Sequence, residues 1–320
     1  MHRDFLYLLG WPYYFLFARG CASLPVRLAH GAVRSWARAG INPFDRAYRA
    51  AVRRNLRQVF GAGLSLRERE AFIERHCGMM AVEHLDTFLY RRLRPRARQP
   101  YLTIHGLEHL DAALARGKGV IFLTGHFGRF DLLAATLGKL GYHLSMLTQD
   151  LSVDTTHLHP AIVHYCRYKS ARLLDHMGGE QIQVGAYLRP VYRSLARNDA
   201  VIIVLDAQLG PLGRRRAAKF LGGSMLLQTS FARVASLRGA AIVPFFVYLE
   251  GLYHKVGVIE PPLIPSQRPG DPQEIEWLFQ GSVDVFERYV KRFPEQYWCW
   301  SYLDSFWSPA PPSGVPQAGA

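Results

Sequence analysis

The sequence contains few cysteines and no arrangement of them that forms a metal or disulfide framework. Only 4 cysteines occur in 320 residues. They are widely separated, with no Cys-x-x-Cys pair and no cluster of cysteine with histidine. This pattern excludes a small disulfide-stapled fold, gives no zinc-ligand spacing, and is typical of a reducing compartment. We therefore expect neither a bound metal nor a cofactor.

The chain also lacks an apolar run that is long enough to cross a bilayer. An uncharged, aromatic-rich stretch extends from Phe5 to Ala18 and is interrupted by Pro12. A spanning helix needs roughly 20 residues, and no signal-peptide cleavage site follows. The stretch is typical of a segment embedded in one leaflet. The alternative is a helix packed on the protein's own core. Basic residues available to lipid phosphates are Arg19, Arg27, Arg34 and Arg38.

Acidic residues are scarce relative to basic ones. The chain has 25 Asp and Glu against 39 Lys and Arg, which gives a formal net charge of +14. Such an excess indicates an anionic partner, which can be a nucleic acid, an anionic membrane surface or an acidic protein. We expect no nucleic acid, because the sequence has no helix-turn-helix, zinc-finger or RNP-type signature. The alternative is a basic surface that only keeps the protein soluble.

Two helices are predicted before the first strand. The segment 46–60 has arginines on one side and apolar residues on the other, which is typical of a basic amphipathic helix. Ser65 with Glu68 forms a capping-box pattern at the start of a second helix. A basic connector, Arg91–Arg98, follows this helical N-terminal region.

From Tyr101 onward, predicted strands and helices alternate, which indicates an α/β fold with a mostly parallel central sheet flanked by helices. The expected organisation is a membrane-associating segment over 1–45, an α/β domain over 46–307 and a disordered tail over 308–320. The predicted strands are 101–104, 120–123, 143–147, 200–205, 241–249 and 253–259. The predicted helices are 109–115, 132–140, 182–195, 228–238 and 271–293.

His126 lies where the predicted strand 120–123 gives way to a helix, a junction that presents side chains at a sheet edge. Asp131 follows in the first helical turn, from which its carboxylate can fold back onto the imidazole. A carboxylate on one ring nitrogen leaves the other free to take a proton from a hydroxyl. Gly125 and Gly128 would keep space open for a substrate. The alternative is a half-buried histidine beside an acid that complements the helix N-terminus.

A second segment, 206–223, also begins where a buried strand ends, so parallel strands would bring it to the same edge as His126. Asp206 and Gln208 can orient a polar acceptor, and Gly222 with Gly223 would let backbone approach a ligand. The alternative is a solvated basic loop. Side chains in this segment that can hold phosphate are Arg214, Arg215, Arg216 and Lys219.

Several separated motifs, taken in order, resemble the bacterial lipid A biosynthesis late acyltransferases, the lauroyl and myristoyl enzymes of the lysophospholipid acyltransferase superfamily. The resemblance runs from about residue 46 to 303. Asp131 stands where these enzymes usually carry Glu, and Arg129 where Asn is common. The Asp form looks more like the glycerophospholipid and mannoside acyltransferases of the superfamily. The motifs are Arg54–Leu56, Gly125–Asp131, the strand ending in Asp206, Phe220–Gly223, Gly239–Pro244 and Pro294–Trp300.

The resemblance implies an enzyme at the cytoplasmic face of a bacterial inner membrane, anchored by the N-terminal segment. It would move a fatty acyl group from an acyl-carrier-protein or CoA thioester to a hydroxyl of a membrane lipid or a lipid A-like glycolipid. His126 would be the general base and Asp131 its orienter, with Arg129 among the substrate-binding residues. Two alternatives are another lipid O-acyltransferase of the superfamily, such as a glycerophospholipid enzyme, and a catalytically silent lipid-binding protein.

Direct attack is expected, because the sequence lacks the Gly-x-Ser-x-Gly pattern of a serine nucleophile. The tetrahedral intermediate of such a transfer needs donors to its oxyanion. Backbone N–H groups at the helix start after His126, or an arginine of the segment 214–216, are the candidates.

Overall fold

The structure, a computed structural model, describes residues 11–41, 44–148, 160–183, 188–207, 215–266 and 268–309. Its N-terminal part is helical, as predicted. It comprises Pro12–Ala18, Arg19–Cys21, α1 (Val26–Arg38), α2 (Arg46–Phe60), α3 (Leu66–Asp86) and the 3-10 turns Gly61–Gly63 and Thr87–Arg92.

The two predicted helix starts are confirmed by their caps. The Asp45 side chain accepts a hydrogen bond from the Tyr48 backbone at the start of α2. Ser65 and Glu68 form the reciprocal capping box of α3, which satisfies two N–H groups that have no partner inside the helix. Val52 and Leu56 on the apolar side of α2 are fully buried.

The strands of the central sheet are β1 (Arg98–Gln99), β2 (Leu102–His105), β3 (Val120–Thr124), β4 (Leu144–Thr148), β5 (Gly178–Gln183), β6 (Ala200–Val204), β9 (Ala241–Glu250) and β10 (His254–Ile259). Their order across the sheet is β1-β2-β10-β9-β3-β6-β4-β5, and five of the seven strand pairs are parallel in the part of the chain that the structure describes. Helices flank the sheet, so the mixed α/β architecture is confirmed. The flanking helices are α4 (Leu107–Leu114), α5 (Phe130–Lys139), α6 (Pro160–Met177), α7 (Arg189–Ala196), α8 (Ser230–Arg238) and α9 (Pro272–Arg292).

β3 and β6 lie side by side at the centre of this sheet. Every residue of both strands is buried, as expected of parallel strands covered on both faces. Thr124 pairs with Val204, and the Leu205 backbone N–H donates to the Thr124 carbonyl at 2.7 Å. The segments that follow the two strands therefore leave the sheet at the same edge, which confirms that prediction.

A second, three-stranded sheet was not predicted. It consists of β7 (Arg215–Phe220), β8 (Gly223–Gln228) and β11 (Trp307–Pro309), in the order β11-β8-β7. Part of the segment expected to be a loop is thus a hairpin, and Ser308 and Pro309, expected in a disordered tail, pair with β8. These strands are short, and β11 pairs with β8 although the two strands are far apart in the chain. The start predicted for helix 182–195 was also wrong, because Ile182 lies in β5.

The described part of the N-terminal segment packs on the protein itself. Tyr13 and Tyr14 are buried. The Tyr13 hydroxyl lies 3.0 Å from Nδ1 of His84, and the Tyr14 ring stacks on Tyr165 at 4.6 Å. Among the described residues, no helix combines the length and the apolar character needed to cross a membrane. Residues 5–10 lie outside the described part, and membrane association stays a prediction.

Candidate active site

The imidazole of His126 lies against the carboxylate of Asp206 at the carboxyl edge of β3 and β6. Nδ1 of His126 is 3.0 Å from Oδ1 of Asp206, and the His126 backbone N–H donates to the same oxygen at 2.8 Å. The His126 side chain is 27% exposed, whereas that of Asp206 is fully buried. The sheet therefore brings together one buried acid and one accessible base.

The environment of Asp206 keeps it ionised. Burial by itself raises the pKa of a carboxyl group, but the His126 imidazole and the hydrogen bonds from its ring and backbone hold the pKa of Asp206 below its ordinary value. The Cys299 thiol adds a weak hydrogen bond to Oδ2 at 3.4 Å.

The carboxylate fixes the tautomer of the imidazole. An ionised carboxylate only accepts hydrogen bonds, so Nδ1 of His126 carries the proton. Within the described residues, Nε2 has no hydrogen-bond partner. The ring thus presents a lone pair on a half-buried nitrogen, which is the state that a general base requires.

Trp298 holds the backbone of His126 and of the loop that follows it. Its ring centroid lies 5.6 Å from that of His126. Its backbone N–H donates to the His126 carbonyl at 2.8 Å, and its indole Nε1 donates to the Gly128 carbonyl at 3.0 Å. Lys169 of α6 lies over the indole, with Nζ 4.7 Å from the ring centroid. The sequence motif Pro294–Trp300 signalled this segment but not its contact with His126.

Asp131 does not make the predicted contact with His126. Its carboxylate is fully buried, accepts a hydrogen bond from the Tyr90 hydroxyl and pairs with Nζ of Lys169 at 3.2 Å. α5 directs this side chain inward, toward α6 and the turn Thr87–Arg92, and away from the sheet edge. The pairing predicted from sequence spacing is therefore replaced in the structure by the pairing of His126 with Asp206.

Arg129, predicted to contact substrate, lies in the interior. Its side chain has no exposed surface, and Nε donates to Oδ2 of Asp86 at 2.8 Å. Lys255 donates to the other oxygen of Asp86 at 3.0 Å. In this arrangement the guanidinium holds α3 against the start of α5 and has no surface to offer a ligand.

The glycines around His126 allow close packing and do not leave open space. A Cβ atom at Gly125 would overlap the Phe286 ring, and one at Gly128 would overlap the Val247 carbonyl. Gly128 also has a positive φ of 54°, a conformation that favours glycine. Both positions therefore set how tightly the loop packs.

Three backbone N–H groups after His126, predicted as oxyanion donors, already have partners. Phe127 N–H donates to the Gly125 carbonyl at 2.7 Å, Gly128 N–H to that of Gln296 at 2.9 Å, and Arg129 N–H to that of Val247 at 2.8 Å. These bonds anchor the loop on its neighbours, so an oxyanion would have to find other donors.

The predicted phosphate-binding segment lies on β7. Arg215, Arg216 and Lys219 are exposed, and Arg216 pairs with Glu276 at 2.6 Å. Phe220, at the end of the strand, meets the Tyr297 ring at 6.0 Å. This contact links β7 to the segment that carries Trp298.

Of the two glycines predicted to approach a ligand, one is open and the other is closely packed. Gly222 has a positive φ of 71° and stands open at the β7–β8 turn. A Cβ at Gly223 would collide with Trp307 of β11, so that glycine serves packing. Gln208 and Arg214 lie outside the described residues.

Three side chains around the imidazole, those of His126, Asp206 and Cys299, have the composition of a metal site. Their ligand atoms lie within 4.8 Å of one another. Burial and the charge of Asp206 raise the pKa of the Cys299 thiol well above its ordinary value. The hydrogen bonds from His126 and Cys299 to Asp206 account for the close approach.

An imidazole oriented by a buried carboxylate thus lies at the carboxyl edge of a mostly parallel α/β sheet, and its second nitrogen has no partner within the described residues. A sequence model of the family described as bacterial lipid A biosynthesis acyltransferase matches residues 2–301. The chain belongs to this family of acyl-transferring enzymes, as the resemblance predicted.

Two curated relatives carry a more specific description. Both are phosphatidylinositol mannoside acyltransferases of Mycobacterium tuberculosis, one from strain ATCC 25618 / H37Rv and one from strain CDC 1551 / Oshkosh. Each is 28% identical over 174 residues, which is 53% of this chain and 50% of the relative. The chain thus matches about half the length of these relatives.

Proposed function

We propose that the protein is an O-acyltransferase that moves a fatty acyl group from a thioester to a hydroxyl of a membrane lipid or glycolipid. The observation that carries this proposal is the 3.0 Å contact between Nδ1 of His126 and Oδ1 of Asp206, while Nε2 of the ring has no partner among the residues that the structure describes. Membership of an acyltransferase family and the mannoside acyltransferase relatives support the same reaction.

In the proposed reaction, Nε2 of His126 takes the proton of the acceptor hydroxyl while the hydroxyl oxygen attacks the thioester carbonyl. A C–O bond forms and gives a tetrahedral oxyanion. The intermediate collapses with cleavage of the C–S bond, and the imidazolium returns its proton to the leaving thiolate. Asp206 stays ionised throughout, because its pKa is lowered, and it stabilises the imidazolium that forms between the two steps.

Asp131 has a different task in this proposal from the one that spacing suggested. Bonded to Tyr90 and Lys169, it positions the start of α5, which directly follows the His126 loop. It acts on the reaction only through that loop, so we assign it as a positioning residue.

For the acyl donor, we propose an acyl carrier protein, with CoA as the alternative. The exposed basic side chains of Arg215 and Lys219 on β7 offer a surface to an acidic carrier protein. For the acceptor, we propose a sugar hydroxyl of a glycolipid, in keeping with the relatives' name. A glycerophospholipid hydroxyl is the alternative, and the proposed location is the cytoplasmic face of a bacterial inner membrane.

The test is an acyl-transfer assay with labelled donor. Purified protein is incubated with a membrane lipid extract and either labelled acyl-carrier-protein or labelled acyl-CoA, and lipids are separated by chromatography. A new labelled lipid with wild-type protein, absent with His126→Ala, supports the proposal and identifies the donor. Lipid analysis of a deletion strain then identifies the acceptor as the lipid that loses one acyl chain. No labelled lipid with either donor would overturn the assignment.

A further inference from the structure

A cavity of about 200 Å³ lies between α1, α3 and the turn after β9. Three arginines line it: Arg34 and Arg38 from α1, and Arg75 from α3. None of them belongs to the His126 site or to any motif of the acyl-transfer reaction. The cavity is thus a second concave, basic feature of the molecule.

The three guanidinium groups have no ion-pair partner among the residues that the structure describes. Other arginines nearby do, since Arg53 of α2 forms two hydrogen bonds with Glu70. Nε of Arg34 is buried and has no hydrogen-bond partner within the same residues. Buried donors in proteins are almost always satisfied, so this nitrogen is available to donate to a ligand in the cavity.

The charge of the cavity remains positive when its acids are included. Glu74 and Glu295 also line it, but neither forms an ion pair with an arginine in the described part of the chain. Burial and the charge of Arg38 lower the pKa of Arg34. Guanidinium forks match the oxygens of a phosphate group in pairs.

Exposed leucines occur on two of the elements that form the cavity, the turn after β9 and α1. Gly251 lines the cavity, and the next residue, Leu252, is 70% exposed. The turn is fixed to α1, because Nδ1 of His30 contacts the Leu252 carbonyl at 3.0 Å. Leu28, on the neighbouring stripe of α1, is 62% exposed. A free phosphate ion needs no such rim, whereas a lipid headgroup carries acyl chains that would lie along it.

We propose that the cavity of Arg34, Arg38 and Arg75 binds the phosphate group of an anionic membrane phospholipid. Its position gives this binding a consequence for the reaction centre. Gln296 lines the cavity, and its carbonyl accepts the Gly128 N–H at 2.9 Å. A headgroup held there orients the His126 loop relative to the lipid surface.

The experiment measures binding of the full-length protein to vesicles of phosphatidylcholine with or without phosphatidylglycerol, by flotation. The double variant Arg34→Gln/Arg38→Gln is expected to lose the phosphatidylglycerol-dependent affinity by roughly tenfold or more. The matched control, Arg116→Gln/Lys118→Gln, removes two exposed charges from the turn that precedes β3, at the end of the strand opposite to His126. It is expected to change affinity by about twofold or less, in accord with screened surface charge.

A third variant separates the cavity from its charge. Gly78 lines the cavity, and a Cβ there would lie 3.5 Å from Cγ of Arg34. Gly78→Leu therefore fills space without removing a cation, and the folded variant is expected to lose phosphatidylglycerol-dependent binding as well. Circular dichroism and thermal unfolding establish that it is folded. Should it fail to fold, the two charge doubles decide alone.

Each other outcome overturns the inference. Equal losses in the two charge doubles would mean diffuse attraction, and full affinity in Arg34→Gln/Arg38→Gln would mean that the cavity binds no lipid. Protection of the arginines from phenylglyoxal by inorganic phosphate, with vesicle binding unchanged by the cavity double, would mean a free-anion site. Because the readout is binding, failure here is distinguishable from failure of the acyl-transfer proposal.

Discussion

Two groups of charged side chains flank the loop after β3, and they differ in their access to solvent. The open pair, His126 with Asp206, has a partly exposed imidazole, one nitrogen of which has no partner in the described part of the chain. The buried charge cluster is closed, and its members are Glu83, Asp86, Arg129, Asp131, Lys169 and Lys255. Both include residues of the motif that first drew attention to this region. Asp131 is thus close to His126 in sequence, yet the contacts of its side chain lie in the buried cluster and not with the imidazole.

The buried charge cluster balances three cations against three carboxylates. Asp86 is its centre, because Arg129 and Lys255 each donate to one of its oxygens. Burial raises the pKa of Asp86, but the charges of Lys255 and Arg129 together hold it far below the ordinary value. Such a group is expensive to disrupt, because removing one member leaves unpaired charge in the interior. The cluster connects α3, the start of α5, α6 and β10.

The largest expected effect is on the open pair. His126→Ala should lower the rate of acyl transfer by roughly 10³- to 10⁴-fold, because the acceptor hydroxyl loses its base. Initial-rate measurements at saturating donor test this, with thermal unfolding as a check on the fold. His143→Ala, at an exposed histidine just before β4, is the control and should keep wild-type activity. Substantial turnover in His126→Ala would remove this residue from the mechanism.

The next effect concerns the centre of the buried charge cluster. Asp86→Asn should lower the free energy of unfolding by about 3–5 kcal/mol, because Arg129 and Lys255 lose their shared carboxylate. Urea denaturation measures the change. Glu70→Gln breaks an exposed pair with Arg53 and should cost less than about 1 kcal/mol. Similar losses in the two variants would show that burial does not distinguish them.

The two groups can be separated directly by isosteric amides. Asp206→Asn should lower kcat by roughly 10²- to 10³-fold with little change in stability, since His126 loses the partner that fixes its tautomer and stabilises its cation. Asp131→Asn should instead lower stability by about 3 kcal/mol, because Lys169 is left with one carboxylate. Paired measurements of kcat and urea unfolding test both. A larger kcat loss in a stable Asp131→Asn would favour the pairing predicted from sequence.

The smallest effect is a pH dependence of stability that arises away from the open pair. Burial lowers the pKa of His76 to about 4, and its ring is held neutral between the Tyr48 hydroxyl and the Glu295 carbonyl. The unfolded chain takes up the proton near the ordinary pKa of about 6.5. The stability contributed by His76 is therefore complete above about pH 6.5 and is lost as the pH falls toward 4, by on the order of 3 kcal/mol.

Urea unfolding at several pH values between 7 and 4 measures this loss. His76→Gln keeps a donor and an acceptor but does not titrate, so its stability should fall less steeply over the same interval. Equal slopes in the two proteins would assign the acid sensitivity to other groups, among them His84, whose pKa is lowered by burial and acts in the same direction over this interval.

Local signals in the sequence predicted much of the fold. The capping box of Ser65 and Glu68 and the run of strand formers in β3 and β6 depend on residues close in the chain, so these elements were predicted nearly to their ends. The mostly parallel direction of the strands was also predicted, because strands that alternate with helices favour parallel pairing. The hairpin of β7 and β8 escaped prediction, since Gly223 and Trp307 reveal their contact only in three dimensions.

The candidate site was likewise predicted in part from local sequence. The strand-to-helix junction identified His126, and the parallel-strand rule placed Asp206 at the same edge without naming it as the partner of the imidazole. Spacing alone favoured Asp131, but the direction of a side chain on α5 depends on what packs against that helix. Tyr90 and Lys169 supply that information, and they lie far from His126 in sequence.

The sequence by itself determined the family, the α/β architecture and the identity of the imidazole at the sheet edge, because motifs, hydrophobic periodicity and caps are local properties. Only the tertiary structure decided which acid meets that imidazole, which glycines are packed closely by neighbouring residues, and which of the described arginines line the second cavity. The reason is that ion pairing and burial depend on distances between residues remote in the chain. Those distances are fixed when the sheet and its helices assemble.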